Sequence, residues 1–306
     1  MKPNMKICDS MKFYKYQGAG NDFLVADNRD GNISEKDGVL TSVCSDGTVW
    51  TAAISDLCDR RYGVGADGLM LLEAGAEGLD FHMTYFNSDG SGGMMCGNGG
   101  RCIVAFAADM DVRPSGEQNT YLFDAADGLH TAQVLEDEGG IKIVRLKMKD
   151  VSEALHYDEL TGVSCVSDGW FLDTGTRHYV RQICDLESYD IVSEGREIRY
   201  GAQEFMPVGA NVNFIEPSGD TLRVRTYEKG VEDETFACGT GIVASAIAAH
   251  LSGVRPSSVQ EDTIIYDIRA KRDSLRVDFR PCTSGSYVAE DVFLTGPAAF
   301  VAEVIF

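Results

Sequence analysis

The sequence predicts an α/β protein of two pseudo-symmetric domains, each a mixed, barrel-like β-sheet wrapped around one central hydrophobic helix, with a site in the cleft between them. Three observations predict it. Cys96-Gly97-Asn98-Gly99 recurs as Cys238-Gly239-Thr240-Gly241, and Thr84-Tyr85 precedes the first copy at the same offset as Thr226-Tyr227 precedes the second. Each copy opens a run of small apolar residues, Gly99 to Met110 and Gly241 to His250; a helix apolar on nearly every face is a buried one. Elsewhere strand-like runs punctuated by glycine turns dominate.

The elements follow in order. Residues 35–56 are mixed, and a helix broken at Ser45-Asp46-Gly47 is expected there. Phe81 to Phe86 reads as a strand leading to the first apolar helix, and Ile141 to Met148 as the strand that ends the first half. The domain boundary is placed there, giving residues 1–148 and 149–296, with 297–306 returning to the first domain. Tyr179 to Ile183, Asn211 to Ile215 and Thr221 to Tyr227 are the strands before the second apolar helix, and Leu275 to Phe279 and Phe300 to Ile305 the strands after it.

Composition narrows the class. A formal charge of −21, from 27 basic and 48 acidic residues, excludes nucleic acid and membrane surfaces as partners, since both require basic patches. An anionic small-molecule substrate must then be held by local donors such as helix N-termini. Nine cysteines is an odd number, and their spacing shows no disulfide framework or zinc motif. Reduced thiols, a cytoplasmic location and no metal are expected. No stretch approaches a signal peptide or a membrane span.

The paired cysteines are the candidate chemistry. A thiol at a helix N-terminus is stabilised as thiolate by the helix dipole and the unpaired N–H groups, and the same groups suit a substrate carboxylate. Two acid/base groups on opposite sides of one carbon can remove a proton from one face and return one to the other. Cys102, inside the apolar helix, reads as a core residue. His178, in Thr174-Gly175-Thr176-Arg177-His178, falls in a glycine-containing turn after a strand, where site residues concentrate. Glu228-Lys229 follows the repeated Thr-Tyr strand. Gly63-Val64-Gly65-Ala66-Asp67-Gly68 satisfies GxGxxG but follows no strand and opens no helix, so it is read as a turn and no cofactor is assigned to it.

Lys15 to Phe23, Asp59 to Leu69, Tyr85 to Ser91, Met95 to Arg101, Gly209 to Phe214 and Glu234 to Gly241 together resemble the diaminopimelate epimerases, in family order and over nearly the whole chain from Met11. The resemblance implies a pyridoxal-independent isomerase that interconverts LL- and meso-2,6-diaminopimelate in lysine and peptidoglycan-precursor synthesis, as a homodimer without cofactor. It implies that Cys96 and Cys238 are the two bases, that Gly97-Asn98 and Gly239-Thr240 hold the reacting carboxylate, and that Asn21, Asn87, Thr176, Asn211, Glu228 and Lys229 contact the substrate. His178 and Glu228 would tune the thiols. The chain departs from the family pattern at Thr176-Arg177, where Asn-Pro or Ser-Pro is common, at Lys229, where arginine is common, and at Gly68, where some members carry glutamine. Residues 1–10 stand before the pattern as an extension or a misassigned start.

Two alternatives share this resemblance. A proline or hydroxyproline racemase would have the same fold and paired cysteines, but those relatives place histidine after the first Cys-Gly, where this chain has Asn98. A non-catalytic amino-acid-binding relative would keep the fold without the reaction.

Overall fold

The computed structural model describes residues 11–44, 46–93, 96–164, 168–282 and 286–306. The chain divides into two units: residues up to Arg145 together with Pro297–Phe306, and Leu146–Gly296. The extension at 1–10, Ser45, Met95, Cys8 and Cys165 lie outside the described residues.

In the first unit β1 (Lys12–Gly18) pairs antiparallel with β2 (Asn21–Asp27). Next come β3 (Ile33–Lys36), β4 (Val39–Val43), β5 (Val49–Ala53) and the short helix α1 (Ile54–Cys58). The helix expected within 35–56 is therefore replaced by a three-stranded antiparallel sheet. Asp37 and Gly38 take φ of 54° and 76°, the pair of positive φ values that closes a two-residue hairpin whose twist matches its strands.

β6 (Gly68–Glu73) runs parallel to β2, and β7 (Phe81–Asn87) antiparallel to β6. The helix α2 (Gly97–Asp109) follows, then β8 (Thr120–Ala125), β9 (Gly128–Glu138) and β10 (Ile141–Lys147). Every residue of α2 from Gly97 to Ala107 is buried. Alanine and straight or compact apolar side chains favour the helix, and Asp111 at φ 56° ends it.

The second unit repeats the plan. β11 (Ala154–Tyr157) joins β12 (Gly169–Asp173), which pairs antiparallel with β13 (Arg177–Gln182). The helix α3 (Ile191–Gly201) comes next, and then β14 (Asn211–Ser218) parallel to β13 and β15 (Thr221–Glu228) antiparallel to β14. The short β16 (Asp233–Thr235) leads to the buried helix α4 (Gly239–Leu251), which Gly253 closes at φ 74°. The chain continues through β17 (Ser258–Gln260), β18 (Thr263–Arg269), β19 (Ser274–Pro281) and β20 (Ala289–Ile305).

The repeat is thus visible in the hydrogen bonding. In each unit an antiparallel, a parallel and an antiparallel pairing precede the buried helix, and a strand parallel to the last of them follows it, β8 beside β7 and β18 beside β15. The early part of β20 pairs with β19 and its late part with β1, so this element is far longer than the expected Phe300 to Ile305.

α3 was not expected from the sequence. Asp190 caps it by accepting from the Ser193 N–H, and its buried residues Ile191, Gly195 and Ile198 form one narrow face. A Cβ on Gly195 would come 2.4 Å from Tyr227 Cβ, so the residue that disguises this helix is what lets it approach β15.

Candidate functional site

Each repeated cysteine is the N-cap of a buried helix, Cys96 of α2 and Cys238 of α4. Backbone N–H groups in that first turn lack intrahelical acceptors; the Cys238 side chain makes no capping hydrogen bond to them, whereas the Cys96 side chain does. Cys96 Sγ accepts from the Gly99 N–H at 3.3 Å. Both sulfurs belong to free, partly exposed thiols. Cys102 is fully buried, and burial pushes its thiol up to about 12, as suits a core residue. Cys44 departs from the expectation of reduced thiols, being disulfide-bonded.

The floors beneath the two cysteines differ. A Cβ on Gly99 would meet Cys96 Sγ at 3.4 Å, Met70 Sδ at 3.6 Å and Phe23 Cζ at 3.7 Å. A Cβ on the matching Gly241 would meet Asn213 Oδ1 at 2.4 Å, His178 Cε1 at 3.2 Å and Cys238 Cβ at 3.3 Å. The first helix start rests on apolar groups and the second on a polar pair, and only glycine fits at 241.

His178 lies on β13 rather than in a turn and is fully buried. The Asn213 amide orients it. Its Oδ1 accepts from Thr226 Oγ1 at 2.9 Å, so its Nδ2 donates to the Tyr179 carbonyl and to His178 Nδ1, the latter at 3.0 Å. Nδ1 is therefore an acceptor, and the ring proton sits on Nε2, which is 2.9 Å from both Thr176 Oγ1 and Thr240 Oγ1. Burial lowers the His178 pKa to about 3, so the ring is neutral at physiological pH. Thr240 Oγ1 stands 3.4 Å from Cys238 Sγ. Thr176, one of the departures from the family pattern, also reaches Thr240 Oγ1 at 3.0 Å.

Asn211 commits its amide to backbone, donating to the Arg177 carbonyl at 3.0 Å and accepting from the Lys229 N–H at 2.9 Å. It thereby ties the 176–177 loop to the end of β15. Glu228 accepts from Thr235 Oγ1 at 2.8 Å. The Lys229 side chain is exposed and makes no ion pair among the described residues.

In the first unit Asn98 donates to Asn21 Oδ1 at 2.5 Å, and Asn21 donates to Asp67 Oδ2 at 3.0 Å. Arg101, fully buried, donates to the Gly97 carbonyl at 3.1 Å and to Asn98 Oδ1 at 2.9 Å. Arg60 bridges Asp22 and Asp67, and Lys15 reaches Asp22 and the Gly65 carbonyl. Burial alone would raise the Asp22 carboxyl, but Arg60 and Lys15 outweigh it and hold it below the usual range. The GxGxxG segment leads into strand β6, as its reading as a turn requires. Asn87, exposed at the end of β7, donates to Ser91 Oγ at 3.0 Å.

Arg101, Asp67 and Asn213 were not singled out from the sequence. Arginine five residues past a cysteine and asparagine inside a strand carry no distinctive spacing; only their buried partners reveal them. A pocket of about 740 Å³ in the second unit, lined by Trp170, Arg181 and Leu251 among others, contains none of the expected site residues. His156, Asp158 and Asp168 cluster at the surface of the same unit, all exposed.

A family model described as "Diaminopimelate epimerase" matches residues 13–152 and 170–265. The chain belongs to the diaminopimelate epimerase family. Among its relatives, the diaminopimelate epimerase of Flavobacterium psychrophilum is 40% identical over 294 residues, covering 96% of this chain and 99% of the relative. That of Aquifex aeolicus is 36% identical, covering 96% of each. As a member of the diaminopimelate epimerase family the chain is an isomerase. Solved structures of the same fold include a PhzF-family phenazine biosynthesis protein of Bacillus anthracis (TM-score 0.68, 11% identity, 97% of this chain and 98% of that one). A probable proline racemase of Agrobacterium radiobacter also shares it (TM-score 0.64, 14% identity, 96% and 92%). At these identities both speak for the fold alone, and the racemase relates to this family only as a neighbour of the same fold. No helix among the described residues is long and apolar enough to cross a membrane.

Proposed function

We propose that the protein interconverts LL- and meso-2,6-diaminopimelate by two-base proton transfer, with Cys96 and Cys238 as the bases. The observation that carries this reading is that both repeated cysteines cap buried helices, in a chain 40% identical to a diaminopimelate epimerase over nearly its full length. One cysteine, as thiolate, takes the α-proton: the C–H bond breaks, an S–H bond forms, and the electron pair moves toward the α-carboxylate. The other, as thiol, delivers its proton to the opposite face and is left as thiolate. The reverse reaction exchanges the roles.

The α-hydrogen of an amino acid is a very weak acid, so the developing charge must meet dipoles already in place. Helix N-termini at Gly97-Asn98 and Gly239-Thr240 supply them. The remaining contacts fall to Asn21, Asn87, Thr176, Glu228 and Lys229, while Asn211 acts by holding the Lys229 backbone. His178 tunes Cys238 through Thr240, and Glu228 is assigned to the same task. Lys229 meets the distal carboxylate as a point charge rather than a fork. A cytoplasmic homodimer in lysine and peptidoglycan-precursor synthesis completes the proposal.

The test is turnover of LL-diaminopimelate in deuterium oxide. The wild-type enzyme should incorporate solvent deuterium at one α-carbon and yield the meso isomer, and Cys96→Ala and Cys238→Ala should each abolish inversion. Full inversion by either single variant would defeat the two-base mechanism.

A further inference from the structure

Tyr85 occupies the same place in the first copy of the repeat as Tyr227 in the second, yet the two phenols have different surroundings. Tyr227 is fully buried and its hydroxyl donates to Glu232 at 3.2 Å. Tyr85 is half-buried, and its hydroxyl has no hydrogen-bond partner among the described residues. An acceptor arriving with a ligand can take the place of water on such a phenol.

Two bare backbone positions let the ring lie where it does. A Cβ on Gly68 would come 2.7 Å from both Cε2 and Oη of Tyr85, and one on Gly93 would come 2.5 Å from Cδ1 and Cε1. The Tyr85 hydroxyl therefore fills the space that a side chain at position 68 would take. The ring also packs against Phe23, with centroids 6.2 Å apart in an edge-on arrangement, and Phe23 reaches the same Gly99 that Cys96 Sγ adjoins. Asn87 Oδ1 faces Gly93 from the same side, 3.2 Å from the Cβ position.

Burial raises the Tyr85 phenol above its ordinary pKa, and negative charge on Cys96 and Asp67 raises it further. The group thus remains a donor throughout the neutral range. In a chain of net charge −21, an anionic ligand must be held by such local donors.

We infer that Tyr85 Oη is a substrate-contacting group that donates a hydrogen bond to a carboxylate oxygen of the bound amino acid, with Gly68 and Gly93 left bare so that the ring can reach it. This inference rests on the proposed epimerase reaction and adds a residue to its binding set. The groups nearest a Cβ on Gly99 are Cys96 Sγ, Met70 Sδ and Phe23 Cζ, and Tyr85 supplies a polar group on that side.

The test is Tyr85→Phe, which keeps the ring, its packing on Phe23 and both glycine contacts, so that the fold is retained. With LL-diaminopimelate, kcat/KM should fall about tenfold, mainly through a higher KM, as expected for one lost hydrogen bond to a charged group. The pH dependence of Cys96 alkylation by iodoacetamide, read in a Cys238→Ala background with and without Tyr85→Phe, should not move. A kcat/KM within twofold of the parent overturns the contact. An unchanged KM with a displaced alkylation profile also overturns it, by assigning the phenol to the thiol. A parent enzyme that does not exchange the α-proton overturns the functional reading and the contact with it, whereas an active parent unaffected by Tyr85→Phe overturns the contact alone.

Discussion

The Thr240 hydroxyl oxygen lies 3.4 Å from Cys238 Sγ. The same oxygen is 2.9 Å from His178 Nε2, whose proton is fixed there by the Asn213 donor on the opposite ring nitrogen. With His178 donating to Thr240, the threonine proton is free to turn toward the sulfur and stabilise a thiolate. In the proposed reaction His178 therefore acts on Cys238 at one remove, as a positioning residue.

Thr240→Val tests this relay while keeping the side-chain shape. Losing a hydrogen bond to a charged sulfur costs about 1.5–3 kcal/mol, which corresponds to roughly one to two pH units on the thiol. Iodoacetamide alkylation of Cys238 in a Cys96→Ala background should therefore shift to higher pH by that amount. An unmoved profile would remove Thr240 from the relay.

His178 predicts a pH dependence of stability. Its folded pKa of about 3 lies below the unfolded value of about 6.5, so the unfolded chain binds a proton that the folded one refuses. Stability is then fully present above about pH 6.5 and declines as pH falls toward 3, by a few kcal/mol at most. Urea unfolding from pH 7 to 4 should show the slope, and His178→Gln should flatten it. The His178 ring proton signals should not titrate near pH 6.5 in the folded enzyme. A midpoint near 6.5 would contradict the buried neutral ring.

Arg101 is the keystone of the other half. Its guanidinium, wholly buried, donates to both the Gly97 carbonyl and the Asn98 side chain, and so holds the first turn of α2 and the amide that reaches Asn21. Arg101→Met should cost about 2–4 kcal/mol in chemical unfolding, because two buried acceptors lose their donor. Arg101→Lys should recover only part of this, since an ammonium lacks the planar fork that spans both acceptors. Equal stability of the lysine and arginine forms would show that the fork is not needed.

The repeat, the two buried helices and the N-terminal seat of each thiol were legible in the sequence because each is local. In each copy the cysteine, the glycines and the apolar run stand next to one another in the chain. The hairpin at Asp37-Gly38 was missed, because the mixed composition around it suggested a helix. α3 escaped because Gly195 interrupts a sparse apolar face, and the reason for that glycine, the closeness of Tyr227, exists only once strand and helix meet.

What the sequence by itself determined, then, is the pair of capped thiols and the family they belong to, since both depend on residues adjacent in the chain. What only the tertiary structure decided is how each thiol is attended. The His178, Asn213 and Thr240 network and the Arg101, Asn98 and Asn21 network join residues from separate strands and helices, and hydrogen bonds of about 3 Å form only where folding brings such elements side by side. The same holds for Tyr85, whose place depends on two glycines from different segments leaving the space its ring fills.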